Sequence, residues 1–149
     1  MNIEQIRKTE SFLKQIFNES LYLNKHLKEM EYRLEHSYRV ANVGKLIAQK
    51  EGFDEADFEG ERTPFALSVG DADNIDRYDA YRIFETLERD RFLEKSFKEK
   101  VELVDTRLSK LKKALHISLG TKTAEEIWTE RIAYYSCFLS AVFINLSIM

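Results

Sequence analysis

The chain has 149 residues, enough for one domain around one hydrophobic core. Apolar residues make up 44% and charged residues 33%, the balance of an ordinary soluble globular protein. The formal net charge of −3 offers no basic footprint for nucleic acid, and the single cysteine, Cys137, excludes an intrachain disulfide and a cysteine-based zinc site.

One proline and five glycines argue for a few long helices over many tight turns. The free cysteine suits a reducing compartment, and the opening MNIEQIRKTE has no apolar signal segment, so a cytoplasmic protein is expected. From Asn2 to about Asn24, Ile3, Ile6, Phe12, Leu13, Ile16, Phe17 and Leu21 recur at helical spacing. The pattern breaks between Asn24 and Glu31, where His26 reads as a solvated loop histidine. A second helix runs from about Tyr32 to Glu51 and stops at Gly52, a residue suited to the left-handed position after a helix. Its inward face is His36, Val40, Val43 and Ile47. A histidine on an apolar stripe is either satisfied by a nearby acceptor or serves as a metal ligand or general base. Arg33 and Arg39 flank the same helix and are expected to pair with acids.

Residues 53–62, FDEADFEGER, read as an acidic junction loop. Thr63 and Pro64 suit the cap and first position of a helix running to Leu87. Along it Ala66, Val69, Asp73, Asp76, Ala80, Ile83 and Leu87 follow at spacings of three and four and share one face. Two aspartates on an otherwise apolar face require a partner, because a buried carboxylate costs several kcal/mol unless it binds a metal or is paired, here with an arginine such as Arg39 or with His36. Phe92 and Leu93 are expected to anchor a charged turn. Ser96 and Glu99 then form a capping-box signature for a helix with the stripe Phe97, Val101, Val104, Leu108, Leu111 and Leu115, closed by His116. After Gly120, Thr123 and Glu126 read as a second capping box. Beyond Arg131 the remaining eighteen residues carry no charge. Ser136, Ser140, Asn145 and Ser147 interrupt this tail, so a buried terminal helix is expected in place of a membrane segment.

The stretch YRLEHSYRVANVGKLIAQKEGFDE resembles the opening helix of the HD-domain superfamily of metal-dependent phosphohydrolases. LSVGDADNIDRYDAYRI resembles the helix that supplies the last aspartate of that family's H…HD…D site, with Ala72-Asp73-Asn74-Ile75-Asp76 in the matching place. The resemblance covers roughly a third of the chain. It implies His36 as first metal ligand, Asp73 as last, and Asp76 as a group orienting a water or a ligand. It also implies a divalent metal (Mn, Mg, Zn, Ni or Fe) and a nucleotide or other small phosphate ester as substrate. The metal would polarise the phosphoryl group and generate hydroxide. One departure is large: His26, His36 and His116 are followed by Leu27, Ser37 and Ile117, so the family's His-Asp dipeptide is missing.

The sequence therefore reads as an all-α irregular bundle of about five helices, a single HD-like domain over residues 1–149 truncated in its middle. Residues 1–52 hold the N-terminal helices and the first ligand, 53–62 the junction and 63–149 the C-terminal helices. The expected function is an HD-type phosphohydrolase with impaired or lost activity; the alternative is a non-catalytic helical interaction or oligomerisation module. No nucleic-acid partner is expected. A missing middle would leave helices exposed and favour a homodimer. No glycine-rich phosphate loop, GxSxG, HExxH or CxxC motif offers another chemistry.

Overall fold

The computed structural model describes residues 3–53 and 64–147. Among them the chain is all helical: α1 (Ile3–Glu19), α2 (Leu21–Lys25), α3 (Leu27–Glu51), α4 (Pro64–Asp76), α5 (Ala80–Arg89), a 3-10 turn (Phe92–Glu94), α6 (Phe97–Ala114) and α7 (Lys122–Ser147). These are seven helices where the periodicity predicts about five, because two expected helices are each broken once. Most of the junction and the expected Thr63 cap lie outside the described residues.

The first break falls at Ser20. Its hydroxyl accepts the Leu23 N–H at 3.3 Å, and Asn24 Nδ2 donates to the Asn18 carbonyl at 2.6 Å. Serine competes for backbone donors in this way, so it starts a new helix where apolar spacing alone continues the old one. The turn expected after Asn24 shrinks to His26, exposed and 4.4 Å from the Tyr22 ring, and α3 begins earlier than its apolar stripe. Its far end is as expected: Gly52 adopts φ 71° and its N–H bonds back to the Ala48 carbonyl.

The second break, at residues 77–79, matters more. Asp79 caps α5 by accepting the Tyr81 N–H at 2.9 Å. Arg131 of α7 donates to the Ile75 carbonyl near the end of α4 at 3.2 Å and pairs with Asp79 at 3.1 Å. One cation thus serves the carbonyl end of one helix and the cap of the next. The buried face of α4 also differs from the expected one. Ser68, Asp71, Ala72, Ile75 and Asp76 are buried, while Val69 is exposed and Asp73 half-buried. The expected face through Val69 and Asp73 is therefore offset from the true one, which keeps Asp76.

The core lies between α3, α4, α5, α6 and α7, around Val43, Ile47, Ile75, Ile83, Trp128 and Leu139. α3 packs along α4, with Gly44 facing the Ala72 methyl. α6 packs along α7 through Val104, Leu111 and Ala114, and the Trp128 indole N–H donates to the Ala114 carbonyl at 3.0 Å. The predicted α6 stripe holds in its middle only; Phe97 and Leu115 at its ends are exposed. The Ser96–Glu99 capping box is formed. The α7 cap lies two residues before the expected one: Thr121 Oγ1 accepts the Ala124 N–H at 3.1 Å. Thr123 instead gives its N–H to Glu51 of α3 at 2.7 Å, so a distant side chain captures the donor that the sequence assigns locally.

Gly120 allows the loop before α7 to close. A Cβ there would lie 2.7 Å from the Leu67 Cβ, and its N–H donates to Asp71 Oδ2 at 2.8 Å. Burial pushes the Asp71 carboxyl above its ordinary range, against the opposing pull of that hydrogen bond. No helix among the described residues is long and apolar enough to cross a membrane. The tail expected to be a buried helix is helical but buried along one side only: Ile132, Tyr135 and Leu139 face the core, while Tyr134, Cys137, Ala141 and Ile144 are exposed.

Candidate functional site

Three residues singled out in the sequence meet at the α3–α4 contact. His36, one turn before Val40 on the inward stripe of α3, points at the end of α4. Its Nδ1 lies 3.0 Å from Asp76 Oδ2 and its Nε2 lies 3.1 Å from Asp73 Oδ1. Asp76 is the buried member, with a side chain 1% exposed. Its second oxygen accepts Arg39 Nε at 2.8 Å. Asp73 stays half-exposed at the rim, where Arg77 reaches its other oxygen at 3.1 Å.

The network continues through residues that carry no motif. Arg39 Nη1 is 3.7 Å from Glu35, and Glu35 accepts the Tyr81 hydroxyl at 3.2 Å. The Arg39 guanidinium lies over the Tyr81 ring at 4.8 Å, a cation–π contact. The hydrogen bond to Glu35, together with that carboxylate's charge, holds the Tyr81 phenol above its ordinary range. Tyr32 stacks nearly parallel on His36 at 6.2 Å, and Arg82 lies over Tyr32 at 5.2 Å. Two links, Glu35–Arg39 and Asp73–Arg77, are i,i+4 pairs readable from sequence. The Tyr32–His36 ring pair has the same spacing, whereas Tyr81 gives no such signal, because its partners Glu35 and Arg39 lie on another helix.

Donor counting limits the chemistry. A neutral imidazole has one N–H and one acceptor nitrogen, so it can donate to only one of the two carboxylates. Three acids (Glu35, Asp73 and Asp76) are set against Arg39, Arg77 and His36. The two ring nitrogens point away from each other, so Asp73 and Asp76 lie on opposite sides of the ring. The three side chains do not converge on one point. Among the described residues no group of three or more His, Cys, Asp or Glu side chains could hold a metal ion. Each ring nitrogen of His36 is paired with one carboxylate, which offers two ligands at most on either side, whereas catalytic zinc sites use three protein ligands. The donor set as placed does not fit a resident catalytic metal.

Beside the network runs an open groove of about 270 Å³ lined by Arg39, Asn42, Val43, Leu46, Asp79 and Arg131. The buried Arg39 Nη2 has no hydrogen-bond partner among the described residues. His116 and Cys137 lie elsewhere, both exposed. In comparisons with known proteins, no family model, no curated protein and no solved structure matches the chain.

Proposed function

We propose that this chain is a non-catalytic helical interaction module in which residues resembling an HD metal site form an ion-pair lock between α3 and α4. One observation carries the reading: both nitrogens of His36 are occupied by carboxylates, and each carboxylate is shared with an arginine. A nucleophile-generating site needs an open position for water or substrate. Here the positions nearest the acids are filled by the protein's own cations. The lock also has a structural purpose, since removing one member of a buried pair strands the other.

The second reading is an HD-type phosphohydrolase with a divalent ion on His36 and Asp73, Asp76 behind the histidine, and a nucleotide or small phosphate ester as substrate. The 3.1 Å between Nε2 and Oδ1 favours it. Adjacent ligands of an octahedral ion with bonds of about 2.1 Å lie about 3 Å apart. Two such ligands would leave the ion mostly hydrated.

A thermal melt separates the two. Metal-stripped protein is melted with Mn²⁺, Mg²⁺, Zn²⁺, Ni²⁺ or Fe²⁺ added, beside His36→Ala and Asp73→Ala. Ligand bound only by the folded state raises stability by RT ln(1 + [L]/Kd). The expected result is a cooperative melt that no metal shifts, with no hydrolysis of a phosphate monoester or nucleotide. A metal-specific rise lost in both variants would overturn the module reading in favour of the hydrolase.

A further inference from the structure

Among the described residues the hydrophobic core takes nothing from α1 or α2 and begins on α3 at Val40. Yet α1 is built for packing: Phe12, Leu13, Ile16 and Phe17 share one of its sides. Phe12 and Ile16 are exposed, while Leu13 and Phe17 are half-buried. α1 and the first half of α3 form the two walls of an open groove of about 530 Å³. Lys14 and Phe17 line it from α1, and Leu27, Met30, Glu31 and Leu34 line it from α3. Closely packed helices lie about 8–10 Å apart, which leaves no room for a groove of this size. α1 therefore stands off α3 and is joined to it through the short α2.

The two joints of this arm differ. Across Ser20, the Asn24 side chain donates to the Asn18 carbonyl at 2.6 Å and braces α2 against α1. His26, between α2 and α3, is exposed, has φ −128° and ψ 65°, and makes no side-chain cap hydrogen bond to α3. Its ring lies against Tyr22 of α2. A residue at the end of an element is where a hinge absorbs backbone rotation. The charges that face each other across the groove are unspent. Lys8 and Glu29 are paired within their own helices, but neither Lys14 nor Glu31 makes an ion pair among the described residues.

We propose that α1 and α2 form a strap that turns about His26 and shuts this groove, laying Phe17 on Met30 and Leu34 and bringing Lys14 to Glu31. Burial of the apolar walls drives the closure, and the exposed ion pair, a smaller contribution, selects where α1 comes to rest. Open, the strap presents an apolar surface; shut, it hides that surface. No residue of the His36 network lines the groove, so the inference goes beyond the function proposed above and stands whichever reading of that site holds.

Its test is the distance between spin labels on Ser11→Cys and Lys45→Cys in the full chain, with Cys137→Ser removing the native thiol. All three positions are exposed. The expected result is two distances, the shorter belonging to the shut strap. Glu31→Lys sets like charges across the groove and moves the ratio toward the longer distance by about two- to fivefold, the weight of an exposed ion pair. Adding Lys14→Glu to it restores the ratio. Helical circular dichroism checks that each variant folds, and Lys14→Glu alone gives the second read if Glu31→Lys does not. A single distance, long or short, overturns the inference, as does a ratio that the charge variants leave unchanged. A shorter distance that fades when labelled chain is diluted with unlabelled chain also overturns it, because α1 is then exchanged between copies.

Discussion

The α3–α4 contact and the α6–α7 contact are both pairs of packed helices, yet they are held together differently. Between α6 and α7 most joining groups are apolar: Val104, Leu111 and Ala114 against Trp128 and its neighbours, with the indole hydrogen bond and a long one, 3.5 Å, from Arg107 to the Tyr135 hydroxyl. Burying each large aliphatic side chain is worth roughly 1.5–3 kcal/mol and asks little of direction. Between α3 and α4, Gly44, Ala72 and Ile75 supply apolar closeness, but the end of the contact depends on Asp76, His36 and Arg39. There the favourable terms are angular and short-ranged, and a missing partner costs more than a lost contact. The polar contact is therefore the more sensitive to how α4 is turned, while the apolar one mainly adds stability.

Breaking one side of the lock should have the largest effect. Asp76→Ala leaves the Arg39 guanidinium facing a void and is expected to cost about 3–5 kcal/mol in urea unfolding. If the lock is structural, replacing its members together by His36→Leu, Arg39→Met and Asp76→Leu should recover most of that loss, because apolar groups of similar size substitute well for buried ion pairs. A triple variant as unstable as Asp76→Ala would end the comparison. On the apolar side, Leu139→Ala is expected to cost about 2–5 kcal/mol through the cavity it leaves, with no polar network to account for it.

Gly120→Ala tests the loop that joins the two regions. The added methyl meets the Leu67 Cβ and Asp71, and overpacking of this kind costs about 1–3 kcal/mol, read as a lowered urea midpoint. The smallest effect is a pH dependence. Hydrogen bonds from Thr123 lower the Glu51 carboxyl below its ordinary value of 4.5. A depressed acid contributes stability that is present above the unfolded-state value and is lost as pH falls through the folded one. The difference in melting temperature between wild type and Glu51→Gln should therefore be present at neutral pH and shrink as the pH drops below 4.5. A constant difference across that range would show that Glu51 does not cap α7.

Much of the helical content was legible because its signals are local. Gly52 ends α3, Ser96 and Glu99 cap α6, and the α7 stripe from Trp128 to Leu139 is buried at the spacing the sequence displays. The breaks at Ser20 and at residues 77–79 were missed because apolar periodicity runs across both. Asp79 is an ordinary capping residue, but Arg131 lies far along the chain and gives no local sign of reaching it. The Thr121 cap was missed because Thr123 has the same chemistry and a glutamate at the right distance; Glu51 removes it from that role.

Sequence alone was enough to establish that the chain forms helices, that His36 and Asp76 lie on faces turned inward, and that the end of α7 is uncharged. The sequence offers Arg39 or His36 as partners for the aspartates; only the tertiary structure decided that both meet Asp76. His36 and Asp76 are forty residues apart, and Arg39 and Asp76 thirty-seven. Helix propensity and capping act within a few residues, so they are written in adjacent letters. The partner of a charge depends on how two helices are rotated against each other, and that rotation is set by the packing of the whole core.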